Sequence, residues 1–234
     1  MEWIKAEIEF ASTFSYRMPD TSSQFAIPAI LPGPSTIKLA LVATTILQMR
    51  NINEGEEIFE TLKQAEIKFQ MPERIAIFTP LIKRLKAKSA VLKKREFEPT
   101  FGTRGYVFYS EPLRLYLGLS NVKKLLLEKI VQVITSLRRL GTSDSLLTVT
   151  NIISENPSDS VPMVEPLKEI RGSGLIQMVK DISEEASFSD VNPFQQHQKK
   201  RKKTNPFVTK YYILPVKAIK QGKNWILYEK IKNK

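Results

Sequence analysis

The first residues of the chain alternate between apolar and polar side chains. Residues 3–10 place isoleucine, alanine and phenylalanine on one face and mostly charged residues on the other. A period of two is typical of a strand with one buried face, so this segment predicts a half-buried first β-strand. Residues 11–23 are polar and predict a loop, which carries Tyr16 and Arg17.

Residues 24–50 change from a proline-containing segment to an apolar helix. Residues 24–34 contain three prolines, which exclude a helix interior, whereas residues 35–50 are apolar on nearly every face and predict a buried helix. Ser35, Thr36 and Lys38 lie in its first turn. Hydroxyls, free N–H groups and a lysine at a helix start can hold a phosphate. A core helix with an ordinary polar start is the simpler alternative.

The middle of the chain predicts further alternation of strands and helices. The predicted elements are a helix at 53–65, a strand within 74–85, a hairpin at 96–110 with its tip at 102–105, a strand at 113–119, a helix at 122–140 and a strand at 145–153. With the first strand and helix, this order is that of a β-α-β-β-α-β unit. The predicted class is therefore α+β, with a ferredoxin-like (RRM-like) fold.

The pattern weakens after residue 153. Residues 175–182 fit a strand or a short helix, and residues 210–217 and 225–230 predict a closing pair of strands. Residues 183–205 have few side chains to bury and predict a mobile basic loop. We therefore predict a first domain at 1–153, with an inserted hairpin at about 83–113, and a C-terminal β extension at 154–234.

The amino-acid composition of the chain excludes several kinds of site and partner. The chain has 234 residues and no cysteine, which excludes disulfides and thiolate metal sites. Its N-terminus is charged and unlike a signal peptide, and its longest apolar stretch, 37–47, is too short to cross a bilayer. Neither G-x-x-x-x-G-K-[ST] nor G-x-G-x-x-G occurs, the turn RGSG at 171–174 is only a weak phosphate-binding motif, and no cluster of histidines has metal-ligand spacing. We expect a cytoplasmic protein without cofactor, metal or membrane partner.

The charge is strongly positive and unevenly distributed. The formal net charge is +12 and the pI is near 9.7, which favours polyanionic partners. Residues 83–95 contain seven cations and no acid, among them Lys93, Lys94 and Arg95. The aromatics that follow include Phe97 and Phe101, and Arg104 lies among them. Cations track phosphates and aromatic rings stack on unpaired bases, so this segment predicts single-stranded RNA binding. A solvated basic face above core aromatics is the alternative.

A second basic run lies near the C-terminus. It comprises Lys199, Lys200, Arg201, Lys202 and Lys203. Such a run can contact nucleic acid, serve as a targeting tract, or only increase solubility. The one histidine, His197, lies just before it. With Tyr16 or a lysine as partner it could form the acid–base pair of an RNA-cleaving enzyme, although a solvated histidine is the simpler interpretation.

Three segments resemble a known family. They are AILPGPSTIKLAL at 29–41, KREFEPTF at 94–101 and RLGTSDSL at 139–146. In order and spacing the chain, over about residues 1–153, is similar to the fifth CRISPR-associated protein family (Cas-five), the small RAMP-fold subunit of type I Cascade complexes. The resemblance is strongest to the archaeal type I-A or I-D branches.

The resemblance implies a fold, a role and a set of partners. Members have a ferredoxin-like RAMP fold with a β-hairpin thumb, bind the 5′ handle of crRNA, cap the Cas-seven backbone and contact the large subunit (Cas-eight or Cas-ten-like). The second basic run could in addition contact target DNA. The thumb would correspond to about 83–113 and the helix start near the handle to 34–38. The expected RNA-binding residues are Tyr16, Arg17, Ser35, Thr36, Lys38, Lys93, Lys94, Arg95, Phe97, Phe101 and Arg104.

Catalysis is not expected. One branch of the family, type I-C, cuts precursor crRNA with tyrosine, lysine and histidine residues. This sequence has no histidine outside the C-terminal loop. We therefore expect a non-catalytic crRNA-binding subunit, with a metal-independent RAMP endoribonuclease as the alternative.

Overall fold

A four-stranded antiparallel sheet covered by helices forms the centre of the molecule. The computed structural model of the protein describes residues 1–21, 25–87, 97–158, 162–164, 166–167, 173–192 and 205–232. The strands are β1 Glu2–Phe10, β2 Tyr16–Arg17, β3 Phe25–Ala26, β4 Pro28–Ala29, β5 Glu66–Gln70, β6 Arg74–Phe78, β7 Leu81–Ala87, β8 Phe97–Arg104, β9 Tyr106–Tyr109, β10 Leu113–Leu119, β11 Leu147–Ser154, β12 Leu175–Ile182, β13 Phe207–Leu214, β14 Val216–Gly222 and β15 Trp225–Lys230. The helices are α1 Pro34–Met49, α2 Ile52–Lys63, α3 Lys124–Thr135 and α4 Phe188–Val191.

The central sheet has the strand order β11-β1-β10-β5, and each neighbouring pair is antiparallel. In chain order these elements are β1, α1 with α2, β5, β10, α3 and β11. The sequence predicts this β-α-β-β-α-β order but places the strand after the first helices within 74–85; the strand in this sheet is β5, Glu66–Gln70, and Arg74–Phe78 forms β6 of another sheet. The α+β class is therefore confirmed.

The alternation in β1 produces the buried face that the sequence indicates. Ile4, Ala6 and Ile8 are at most 4% exposed and contribute to the core. Above them α1 buries Ile37 and Leu41 and packs against α2 and α3. The nearly uniform apolar surface of α1 is explained by this position, because strand β12 covers it as well.

The segment between β5 and β10 contributes to two further sheets. Strands β6 and β9 join the C-terminal strands in the order β14-β15-β6-β9. Strands β7 and β8 form a hairpin whose base pairs with β3. We call this hairpin, residues 81–104, the thumb. It ends earlier than the predicted 83–113, because residues 106–109 belong to β9.

The predicted hairpin tip at residues 102–105 is wrong. Gly102 lies inside the ladder and pairs with Ile82, and the connection between β7 and β8 falls at 88–96, outside the described residues. Gly105 has a different role: a Cβ at this position would lie 2.5 Å from side-chain atoms of Pro28. Glycine is required there for a close approach and not for a turn.

The C-terminal strands pair across the predicted boundary at residue 153. Strands β14 and β15 complete a sheet with β6, from the first half of the chain. Residues 210–214 do not pair with 225–230 as predicted, because they belong to β13, the partner of β12. Isolated bridges from Val164 to Phe69 and from Pro166 to Tyr212 connect β13 to the edge of the central sheet.

The predicted mobile loop at 183–205 is wrong for residues 183–192. Residues 183–192 contain α4, which starts with a capping box formed by Ser187 and Asp190. Phe188 is buried and its ring packs 5.7 Å from that of Phe59. Residues 193–204, with the basic run at 199–203, lie outside the described residues. Within the described part of the chain, no helix is long and apolar enough to cross a membrane.

Candidate nucleic-acid interface

A polar cleft of about 420 Å³ lies between the thumb and the body of the protein. Strand β2, thumb strand β8 and the α3–β11 connection form its walls. It is lined by Ser15, Tyr16, Arg17, Ile82, Thr100, Phe101, Gly102, Thr103, Arg104, Gly105 and Thr142. Four of these, Tyr16, Arg17, Phe101 and Arg104, are among the predicted RNA-binding residues. The fold therefore brings together residues that are nearly ninety positions apart in the sequence.

Arg104 is held in a fixed position at the end of β8. Its guanidinium forms a 2.6 Å ion pair with Asp144, donates a hydrogen bond of 2.9 Å from Nε to Ser15 Oγ, and lies 5.5 Å from the centre of the Tyr106 ring. Ser15 Oγ in turn donates to the Gly105 carbonyl. These contacts use Nη2 and Nε, so a phosphate that binds Arg104 shares its guanidinium with Asp144 and reaches it through the remaining N–H groups.

Tyr16 and Arg17 are adjacent in sequence but differ in exposure. The Arg17 side chain is exposed, whereas Tyr16 is buried and its hydroxyl donates to the Leu140 carbonyl at 3.0 Å. Burial raises the pKa of Tyr16 well above its usual value. The Tyr16 hydroxyl is thus a structural group that contributes a wall of the cleft, and Arg17 supplies the available charge.

The polar cleft adjoins a smaller cavity at the start of α1. This second cavity, of about 270 Å³, includes Ser35 and Thr36 in its lining and shares Tyr16, Arg17 and Thr142 with the polar cleft. Ser35 is 8% exposed, and its hydroxyl donates to the Lys180 carbonyl. Thr36 is half-buried. The helix start therefore borders the site, but the Ser35 hydroxyl is already used in holding β12.

The structure places Lys38 away from the site. It is 1% exposed, and its Nζ lies 2.9 Å from Asp181 Oδ1 and donates to the Lys63 carbonyl at 3.2 Å. Burial lowers the pKa of Lys38, although the Asp181 carboxylate acts in the opposite direction. The expectation that Lys38 contacts a phosphate is corrected: its charge is neutralised inside the protein.

The two faces of the thumb differ in chemistry. The register pairs Lys83 with Phe101 and Ala87 with Phe97, which places both phenylalanines on one face. Phe97 and Phe101 are 59% and 66% exposed. The other face of the thumb carries Thr100, Gly102 and Arg104, which alternate with the phenylalanines along β8 and line the polar cleft. Phe101 borders the cleft, whereas Phe97 lies further along the thumb.

Several predicted site residues cannot be placed. Lys93, Lys94 and Arg95 lie in the 88–96 connection, and Lys199–Lys203 lie in 193–204; both segments are outside the described residues. Within the described ranges, no group of three or more histidine, cysteine, aspartate or glutamate residues is positioned to hold a metal ion.

The structure adds three residues that the sequence analysis did not select. Ser15 and Thr142 are linked by a hydrogen bond from Thr142 Oγ1 to the Ser15 carbonyl, and Thr100 lines the thumb side of the cleft. Thr142 and Thr100 lie in the segments 139–146 and 94–101 that resemble the Cas-five family, so a signal for both was present. Ser15 is a common polar residue whose position becomes significant only in three dimensions.

Comparison with known proteins identifies the family. No protein-family model matches this sequence. A solved structure described as a CRISPR protein from Archaeoglobus fulgidus covers 98% of this chain and 92% of its own, with 15% identity and a TM-score of 0.49. A CRISPR-associated protein Cas5 from Archaeoglobus fulgidus is 39% identical over 235 residues, which cover 98% of this chain and 99% of that protein. With this identity over nearly its whole length, the chain belongs to the Cas5 family of CRISPR-associated proteins.

Proposed function

We propose that this protein is the non-catalytic subunit of a type I CRISPR Cascade complex that binds the 5′ handle of crRNA in the polar cleft. One observation carries the proposal: the polar cleft gathers Arg17, Phe101 and Arg104 in one cavity. A single-stranded RNA backbone needs cations, and its bases need exposed rings. The hydroxyls of Ser15, Tyr16 and Thr142 already donate to backbone carbonyls, so the two arginines and the Phe101 ring carry the proposed contacts.

The electrostatics support an anionic ligand. The chain carries a net charge of +12, so a polyanion is attracted from a distance. Arg17 is exposed and can turn toward a phosphate, while Arg104 is already oriented by Asp144 and Ser15. An oriented guanidinium loses little side-chain freedom on binding, which offsets part of the cost of sharing it with Asp144.

The lack of catalysis is also part of the proposal. Cleavage of RNA near neutral pH needs a general acid and a general base. The candidate Tyr16 hydroxyl is buried, donates to a main-chain carbonyl and has a raised pKa. It is therefore poorly suited to proton transfer.

Salt dependence of binding tests the proposal. The probe is a fluorescently labelled RNA with the repeat-derived 5′ handle, and fluorescence anisotropy with the full chain measures the Kd. If about 4–6 phosphates are engaged, log K falls with log salt at a slope of about −3 to −4. A scrambled RNA of equal length is the control and should bind at least about 10-fold more weakly. Equal affinity for the two RNAs, or binding that ignores salt, would contradict handle recognition.

The same preparation tests catalysis. Repeat RNA incubated with excess protein in EDTA should remain intact. Specific cleavage that disappears in His197→Ala would establish the endoribonuclease alternative instead.

A further inference from the structure

A second cleft lies on the other side of the thumb base and differs in chemistry from the polar cleft. Its volume is about 550 Å³, within the range of clefts that hold a bound molecule. Thr103 of β8 borders both clefts, so the thumb base separates them. Most of its lining is aliphatic or aromatic, and Ile27, Ile176 and Trp225 are 53%, 51% and 45% exposed at its surface. We call this site the apolar cleft.

The apolar face of the thumb continues from this cleft. Leu81 pairs with Thr103, so the face that begins at the apolar cleft carries Leu81, Leu85, Phe97 and Phe101 along the hairpin. These four side chains are 59–69% exposed. At about 200 Å² for a large apolar side chain they expose roughly 500 Å², which is comparable to the largest apolar patch on an ordinary monomer. A patch of this size, next to an apolar cavity, marks an interaction surface.

The chemistry of this surface favours a protein partner over RNA. An RNA backbone requires cations and hydrogen-bond donors, and these groups line the polar cleft on the opposite side of β8. Large apolar side chains, by contrast, provide most of the affinity when they fill a pocket at a protein interface. The two faces of the thumb are thus suited to two different classes of ligand.

The charge at the edges of the surface indicates the composition of the partner. Lys223 lines the apolar cleft, and among the described residues no aspartate or glutamate does. Lys83 lies on the apolar face of the thumb, with its Nζ 5.9 Å from the centre of the Phe101 ring. Acidic residues next to apolar anchors would complement these lysines. A second copy of this chain is disfavoured as the occupant, because both copies carry a charge of +12.

We propose that the apolar cleft and the adjoining thumb face bind a segment of another protein that inserts large apolar side chains flanked by acidic residues. The thumb then lies between two partners, with RNA in the polar cleft and protein on the apolar face, and Phe101, which belongs to the apolar face and borders the polar cleft, lies at the boundary between them. The proposal depends on the proposed Cascade role only for the source of the partner, and it does not require that RNA binds in the polar cleft.

Site-specific crosslinking tests this surface directly. The chain has no cysteine, so Ile176→Cys introduces a unique thiol at the cleft, and Leu47→Cys on α1, 70% exposed, is the matched control. Each full-length variant is labelled with a benzophenone maleimide and assembled into the effector complex. The complex is purified through a tag on this chain and irradiated, and the adducts are mapped by mass spectrometry.

The expected adduct from position 176 joins another protein subunit, at a peptide with a large apolar residue within about four positions of an aspartate or glutamate. Its yield should exceed that from position 47 by at least about 10-fold. Adducts to RNA, to a second copy of this chain or to another segment of the same chain would overturn the proposal. A yield equal to that of the control would also overturn it.

A pair of variants separates this proposal from the proposed RNA binding. Ile176→Arg, at an exposed position, should remove the crosslinked subunit from the purified complex while the Kd for handle RNA stays within about twofold. Arg17→Glu should weaken RNA binding and retain that subunit in the isolated assembly. If Ile176→Arg keeps the subunit at full occupancy, the apolar cleft is not its docking site, whatever the RNA result.

Discussion

The buried ion pair between Lys38 and Asp181 supplies a prediction whose size can be worked from the structure. Asp181 lies on β12 and forms two ion pairs. Its Oδ1 lies 2.9 Å from Lys38 Nζ, and its Oδ2 lies 2.7 Å from Lys210 Nζ. The Lys38 and Asp181 side chains are 1% and 6% exposed. Asp181→Asn removes the negative charge that balances the Lys38 ammonium and leaves it only neutral acceptors such as the Lys63 carbonyl, and breaking one side of a buried pair costs about 3–5 kcal/mol.

Deprotonation of Lys38 sets an upper limit on the stability lost in Asp181→Asn. If the uncompensated charge costs more than this, Lys38 loses its proton instead. For a lysine with the ordinary pKa of 10.5, deprotonation at pH 7 costs about 5 kcal/mol. For a chain of this length, a loss of 3–5 kcal/mol lowers the Tm by about 6–20 °C. Urea denaturation and calorimetry of Asp181→Asn measure both quantities.

The double variant makes this test specific. Lys38→Met removes the buried charge, so Lys38→Met with Asp181→Asn should recover at least about 2 kcal/mol relative to the sum of the single variants. Lys38→Met should also leave the affinity for handle RNA unchanged within about twofold. A change below about 1 kcal/mol in Asp181→Asn, or additive single variants, would refute the ion-pair argument. Loss of RNA affinity in a stable Lys38→Met protein would restore Lys38 as a phosphate contact.

Three further predictions concern the core. Burial raises the pKa of Tyr16 and Tyr109, so above about pH 10 the unfolded state binds fewer protons than the native state. The free energy of unfolding should therefore fall as the pH rises, by up to about 1.4 kcal/mol per pH unit for each tyrosine. In alkaline denaturation this fall should be less steep for Tyr16→Phe, and an unchanged slope would contradict the argument. Gln177→Leu should destabilise the protein by about 3 kcal/mol or more in urea denaturation. The Gln177 side-chain amide accepts hydrogen bonds from the backbone N–H groups of Ile30 and Leu31 and donates one to the Leu31 carbonyl, just before α1. An unchanged stability would argue against these hydrogen bonds. Gly55→Ala should cost about 1–3 kcal/mol in the same assay, because its Cβ would lie 2.3 Å from Ile46 Cγ1, and a stabilised variant would show that this packing can relax.

Local patterns were sufficient for the central elements of the fold. The alternation at 3–10 and the apolar stretch at 35–50 predicted β1 and α1, because burial acts on short periodic segments. Strand β5 was not predicted, and the strand expected in its place, within 74–85, contributes to other sheets. The thumb tip was placed wrongly because Gly102 and Gly105 were interpreted as a turn. Gly105 is instead required by contact with Pro28, which is distant in the sequence and gives no local signal.

The site was predictable in its charge but not in its detailed geometry. Phe101 and Arg104 were selected from a basic and aromatic segment and Arg17 from a polar loop, and the structure gathers them at one cleft. Lys38 was selected as a cation in the first turn of a helix, and its partner Asp181 could not be identified, because it lies 143 positions away in a part of the chain with weak signals. The apolar cleft was missed for a similar reason, since Ile27, Ile176 and Trp225 come from three separate segments.

A comparison of two charge reversals tests the central claim most directly. Arg17→Glu reverses the charge of an exposed cation in the polar cleft. Lys124→Glu makes the same charge change at an exposed control position, the first residue of α3. This position lies about 18 Å along the helix from its C-terminal end, which is the end that leads to Thr142 in the polar cleft. The measurement is the Kd for handle RNA by fluorescence anisotropy at fixed salt. The proposed site predicts that Arg17→Glu weakens binding by about 10-fold or more, as expected for loss of a charge-assisted contact, while Lys124→Glu changes it by less than about threefold. Equal losses in the two variants would show that net charge, and not the polar cleft, holds the RNA.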